Sequence, residues 1–183
     1  MKYTLKFTLL LLIIGASACN SSKNGLKEVK TPFKGSSYES NRRFFRVTAS
    51  GESINLETAR SKANLTANQR LASSVQTEIK NVTENYLNER KDGSQLGDYG
   101  ERFQQLTREV MSTSINGMRT FDEKIYQKAD KSYLVWVAVE ARKKEIYKRM
   151  KQTAKERSTL SEKEKDAISN MIDKAIAETG DDE

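Results

Sequence analysis

Two hydrophobic periods alternate along this chain, and they predict both strands and helices. Residues 44–53 (FFRVTASGES) place apolar and polar side chains on alternate positions, which is the pattern of a strand. From Ala59 to Tyr86 the apolar residues recur every three or four positions, as they do along one face of an amphipathic helix. Asn55 is the expected N-cap of this helix. Its first apolar positions are alanines, which predicts close packing against a sheet.

The alternating pattern returns in residues 116–128 and 133–141. The four residues between them, Ala-Asp-Lys-Ser, have the composition of a turn, so the two segments are predicted to form an antiparallel hairpin. The second strand is apolar on both faces. This predicts a central position in the sheet, covered by helices on one side and by a partner or the chain's own tail on the other.

Three further helices complete the predicted elements. A short helix is expected over residues 101–111, after a glycine-rich loop (91–100) whose spacing does not match a phosphate-binding motif. The 3.6-residue period returns over 142–157, and the sequence SEKE forms a capping box for a last helix that ends near Glu178. The predicted fold class is therefore α+β: a small antiparallel sheet of about three strands packed against long amphipathic helices, with a helical C-terminal extension.

The N-terminus has the composition of an export signal. A basic start precedes an apolar run that is too short to span a bilayer, and small residues follow at 15–18. Cys19, the only cysteine in the chain, comes directly after them, and this arrangement resembles the lipobox of bacterial lipoproteins. The resemblance implies removal of the signal peptide, residues 1–18, and acylation of Cys19. The alternative is a cysteine that lies by chance beside an ordinary cleavage site.

The lipoprotein interpretation implies how the rest of the chain is divided into segments. Residues 19–42 are rich in Ser, Asn, Lys and Gly and are interpreted as a lipidated flexible tether. Residues 43–157 then form the α+β domain, and 158–183 form a C-terminal helix with an acidic end. Asn20 stands where an aspartate would resemble an inner-membrane retention signal. By that resemblance the expected location is the bacterial cell envelope, lipid-anchored at the outer membrane and facing the periplasm.

The charge balance points to a second kind of binding. The chain carries 32 basic and 25 acidic residues, a formal net charge of +7. Four lysines fall on one flank of the predicted helix 142–157: Lys144, Lys148, Lys151 and Lys155. This lysine stripe fits a lipid headgroup, a lipopolysaccharide phosphate or an acidic protein. The alternative is a solvated helix face whose repulsion is screened by salt. Nucleic acid is not expected as a partner in this compartment.

The residue types argue against catalysis. There is no histidine, which removes the commonest general base and the commonest metal ligand. No pattern of a nucleophilic serine appears, and the neighbouring carboxylates Asp122 and Glu123 are predicted to point to opposite faces of a strand. The sequence therefore predicts a protein that is not an enzyme and has no cofactor and no metal site.

Two apolar features are candidate partner-binding surfaces. Trp136 lies in the second strand of the hairpin, as a core residue, an interface residue or a ligand-stacking residue. The last predicted helix has a narrow apolar stripe that includes Ile168 and Ile172. This stripe either packs inside the domain or binds a neighbour.

Residues 46–73 resemble the N-terminal signature of the LPP-twenty lipoprotein family. The resemblance rests on a strand that ends in Ala49 and Gly51, followed by the alanine-rich helix from Ala59, and it extends over about 43–142. It implies an α+β domain without a catalytic site. We therefore expect a non-catalytic envelope lipoprotein that acts as a binding or assembly module. Its partner would be an envelope protein or a second copy, bound through the hairpin edge or the last helix. Binding of an anionic surface by the lysine stripe is the alternative.

Overall fold

The computed structural model describes residues 29–89, 96–113 and 118–180. The compact unit that carries the fold runs from Pro32 to Glu183. Cys19 and the predicted signal peptide lie outside the described residues. The strands and helices have the following bounds: β1 Phe44–Ser53, α1 Leu56–Glu89, α2 Leu96–Thr113, β2 Met118–Gln127, β3 Tyr133–Arg142, α3 Lys143–Glu156 and α4 Glu162–Glu178. The predicted α+β class is confirmed.

The three strands form one antiparallel sheet in the order β1-β3-β2. The predicted hairpin of β2 and β3 is present, and β3 is central, as the apolar pattern on both of its faces predicted. The hairpin turn is tight because Lys128 N–H donates to Ser132 O and Lys131 N–H donates to Lys128 O. Lys131 has a positive φ of 65°, which places it in the left-handed region that closes such a turn.

One face of the sheet is covered by α1. Three alanines on the helix, Ala59, Ala63 and Ala67, are fully buried against the strands. The helix lies unusually close to β1, because a carbon placed on Gly51 in the position of a Cβ would be 2.3 Å from Ala59 O. The expected N-cap is also confirmed, since the Asn55 side chain accepts a hydrogen bond of 3.0 Å from Thr58 N–H.

The remaining helices extend the same core. Phe103, Leu106 and Val110 of α2 are buried, as their spacing predicted. Helix α4 packs on α3 and begins at the predicted capping box, in which Ser161 and Glu164 bond each other's backbone N–H. The predicted C-terminal helix is therefore present, and it packs within the compact unit.

Two boundaries differ from the prediction. Helix α2 begins at residue 96, five residues earlier than expected, and it includes Gly100, whose missing side chain lets the helix approach Thr83 of α1. The compact unit begins at Pro32, so the last eleven residues of the segment that we interpret as a tether, 32–42, belong to the fold. The burial of Phe33, which is 8% exposed, is the physical reason.

Candidate functional site

The sheet face opposite α1, which we call the outer face, is only partly covered. Leu134 and Trp136 of β3 are partly exposed there, and Tyr126 of β2 is 45% exposed. The strand register places Tyr126 beside Leu134, and Trp136 is the next residue of β3 on the same face. These three side chains, which we call the aromatic patch, lie at the hairpin end of the outer face.

The opposite end of the outer face is covered by residues 32–41, which we call the N-terminal strap. Phe33 packs on Tyr38 with ring centroids 5.0 Å apart, and Tyr38 stacks on Phe121 of β2 at 5.8 Å. The Tyr38 hydroxyl donates a 2.8 Å hydrogen bond to Asp122, and this bond raises the pKa of Tyr38. The strap therefore packs on β2 as far as Lys124, whose Nζ lies 5.3 Å from the centre of the Phe33 ring, and the aromatic patch beyond it stays partly exposed.

A buried carboxylate joins the three strands on the outer face. Glu140 of β3 has a side chain that is only 4% exposed, and it accepts hydrogen bonds from Arg46 Nε at 2.9 Å and Arg119 Nε at 2.8 Å. Burial by itself raises the pKa of Glu140, but the hydrogen bonds and charges of the two arginines outweigh it and hold that pKa below its usual value. This cluster pins β1, β3 and β2 together and has a structural role.

A cleft of about 500 Å³ lies where α1, α3 and the end of α4 meet. Three of its polar groups already contact one another, because Lys143 Nζ lies 2.5 Å from Glu78 and the buried hydroxyl of Tyr147 lies 3.5 Å from the same carboxylate. Burial, together with the negative charge of Glu78, raises the pKa of Tyr147. The cleft therefore presents a neutralised ion pair to a ligand.

The predicted lysine stripe is interrupted in the structure. Lys151 bonds both carboxylate oxygens of Asp173 on α4, at 2.6 and 2.7 Å. Lys148 lies 3.8 Å from Glu145 in the previous turn. Lys144 is half-buried, and Lys155 is exposed at the end of α3. The four lysines therefore do not form one uniform cationic surface.

The proposed partner-binding residues fall into two groups. Trp136 lies on the partly exposed outer face, where a partner can reach it. Ile168 and Ile172 are fully buried in the core, so they are not available for the surface role that their stripe allowed. They are buried because α3 and α2 cover this face of α4.

Two exposed apolar residues on β2 lie outside the sites predicted from the sequence. Ile125 is 43% exposed and Tyr126 is 45% exposed, on opposite faces of an edge strand. Successive side chains of a strand point to opposite faces, so two adjacent large apolar residues indicate that each face carries an apolar side chain. Only the strand order reveals that the strand carrying them lies at the edge of the sheet.

The described residues contain no group of three or more metal-ligating side chains placed to hold a metal ion. Within the same residues, every helix is too short or too polar for a membrane crossing. Comparison with protein-family models, with curated proteins and with solved structures finds no significant match.

Proposed function

We propose that this chain is a non-catalytic lipoprotein of the bacterial envelope, anchored through acylated Cys19, that acts as a binding or assembly module. The anchor is argued from the lipobox-like sequence around Cys19. Acylation with two or three chains would give stable membrane attachment. The expected location remains the outer membrane, with the domain in the periplasm.

The observation that carries the binding role is the aromatic patch. Large apolar side chains grouped on an uncovered sheet face are typical of interaction sites, whose buried centres are enriched in aromatic residues. On the opposite face of the same sheet, β1 and β3 are covered by α1. Trp136 is therefore the most informative position for a test, because it lies in the central strand of the outer face.

Site-specific photo-crosslinking in living bacteria tests this role. A photoreactive phenylalanine analogue replaces Trp136 in the full-length chain, and a second strain carries it at Leu65, which is 59% exposed on α1. We expect one recurrent envelope protein at position 136 that is absent at position 65. Its yield should fall when Leu134 is also replaced by Lys. The same mixture of products at both positions would contradict the proposal.

Membrane fractionation tests the anchor separately. The chain should be in the membrane fraction, and the Cys19→Ala variant should remain unprocessed or lose its membrane attachment. A mature chain of unchanged distribution in that variant would overturn the lipidation proposal.

The alternative role, anionic-surface binding, has weaker support because Lys151 is already paired with Asp173. It predicts that the chain floats with phosphatidylglycerol vesicles and that the combined Lys148→Glu and Lys155→Glu variant does not. Flotation that is the same for the parent and the double variant, and that is unchanged by added salt, would exclude this role.

A further inference from the structure

The two edge strands differ in whether side chains bond their outward backbone groups. Along β1, the Ser40 hydroxyl accepts from Arg46 N–H at 2.9 Å and donates to Arg46 O at 3.2 Å. Arg70 donates to Thr48 O at 2.7 Å. Side chains thus occupy the outward backbone groups of β1, which is a known way of preventing edge-to-edge pairing.

The edge formed by β2 can be reached by another strand. In the described part of the chain, β2 pairs on one side only, with β3. A register shift between Thr120 and Asp122 interrupts the strand, and the regular edge runs from Asp122 to Gln127. Helix α1 crosses β1 and β3 and reaches β2 through the side chain of Arg60, so the helix does not lie across this edge.

Exposed apolar groups mark both faces of the same edge. Ile125 points to the α1 side and is 43% exposed, and Tyr126 points to the outer face and is 45% exposed. An added strand is the ligand that covers both faces of an edge at once. A partner that lies on one face only would cover one of these side chains.

We propose that the occupant is β2 of a second copy of this chain, paired antiparallel about a two-fold axis that passes through Ile125. The two sheets then form one continuous six-stranded sheet. This inference rests on the proposed assembly function and names its partner. Such an axis is perpendicular to the sheet, so side chains that face each other lie on the same face of the joined sheet.

This register brings no like charges together between Asp122 and Lys128, and it places the charged Glu123 opposite the neutral Gln127. Ile125 faces Ile125 of the second copy on the α1 side. On the outer face, Lys124 faces Tyr126 and Asp122 faces Lys128, and each of these pairs occurs twice because of the symmetry. Within one copy Asp122 also accepts from Tyr38 and Lys128 also pairs with Glu52, so in the dimer each charge would contact both its own partner and the second copy.

The neighbouring symmetric registers are unfavourable. An axis through Lys124 places that lysine against its own copy, and an axis through Glu123 does the same for that carboxylate. An axis through Tyr126 places Lys124 against Lys128 twice. Like charges directly opposite each other destabilise strand pairing, so the axis through Ile125 is selected.

Cysteine crosslinking tests the register. Ile125→Cys is introduced into the full-length chain, and membranes are oxidised with copper phenanthroline. In the proposed pairing the two Cα atoms at this position are about 5 Å apart, within disulfide reach. The matched control is Gln127→Cys, on the same face and edge, where the two copies are about 14 Å apart.

We expect at least fivefold more disulfide dimer at position 125 than at position 127 or in the parent chain, which retains Cys19. No dimer at position 125, or equal yields at 125 and 127, would overturn the proposal. Membrane fractionation of the same samples reports on the anchor independently. Loss of the dimer with the chain still in the membrane therefore contradicts the pairing alone.

A charge exchange separates pairing from damage to the monomer. Asp122→Lys and Lys128→Asp are each combined with Ile125→Cys, and each should lower the dimer yield several-fold because like charges then meet twice. Coexpression of the two differently tagged variants places opposite charges together at both positions, and mixed dimers should recover. Recovery would support the assigned register, because damage to a monomer is not repaired by mixing. Failure to recover, with both variants still in the membrane fraction at the level of the parent chain, would contradict it.

Discussion

The backbone of α1 at Ala59 lies directly against Gly51 of β1. A Cβ atom at position 51 would be 2.3 Å from the carbonyl oxygen of Ala59 and 2.4 Å from the amide nitrogen of Ala63. Contacts this short are with backbone atoms, which cannot move aside as a flexible side chain can. The helix and the sheet are therefore held at a separation that only glycine permits.

Gly51→Ala should lower the free energy of unfolding by about 3 kcal/mol, because the added methyl group forces the helix away from the strand. Urea unfolding followed by circular dichroism measures this change. Ser50→Ala is the control, since Ser50 points to the outer face, and it should stay within about 0.5 kcal/mol. A Gly51→Ala protein as stable as the parent would show that α1 is more loosely packed than described.

Glu140→Gln should lower the free energy of unfolding at neutral pH by about 2 kcal/mol, because Arg46 loses its charged partner. The folded-state pKa of Glu140 lies below its ordinary value of 4.5. The ion pairs therefore stabilise the fold above about pH 4.5, and this contribution is lost as the pH falls through the folded-state pKa.

The same variant should therefore show a smaller loss of stability between pH 6 and pH 3 than the parent chain, measured by urea unfolding at each pH. Glu145→Gln is the control, because the side chain of Glu145 is 62% exposed. Identical pH profiles for Glu140→Gln and the parent would contradict the assigned role of the carboxylate.

Phe33→Ala should release the N-terminal strap. The aromatic ring holds this segment against Tyr38, so the amides of residues 34–41 should exchange with solvent at least tenfold faster. Hydrogen exchange with mass spectrometry measures this, with Val29→Ala as the control because Val29 is 74% exposed. An equal acceleration in β3 would mean that the strap is part of the global core.

Lys131→Gly should stabilise the protein by about 1 kcal/mol, because a non-glycine residue at a φ of 65° is strained in the hairpin turn. Thermal unfolding measures the change. Ala129→Gly in the same turn adds backbone entropy to the unfolded state and should be neutral or destabilising. A lower melting temperature for Lys131→Gly would show that the lysine side chain contributes contacts that outweigh the strain.

Local pattern determined most of the secondary structure of this protein. Strand and helix periods, the Asn55 cap, the Ser161 capping box and the turn before Ser132 all depend on residues within a few positions of one another. The central place of β3 also followed from its sequence, because a strand that is apolar on both faces is typical of the interior of a sheet.

The surface of the protein was decided by tertiary structure. An apolar stripe such as that of Ile168 and Ile172 looks the same whether it packs within the domain or against a partner, and only the positions of α3 and α2 decide that it is buried here. Lys151 belongs to a cationic stripe in the sequence, but the packing of α4 brings Asp173 to it from 22 positions away. Ile125 lies at an edge of the sheet because, in the described part of the chain, β2 pairs with β3 on one side and with no strand on the other. Each of these outcomes depends on contacts between distant segments, which a local period does not encode.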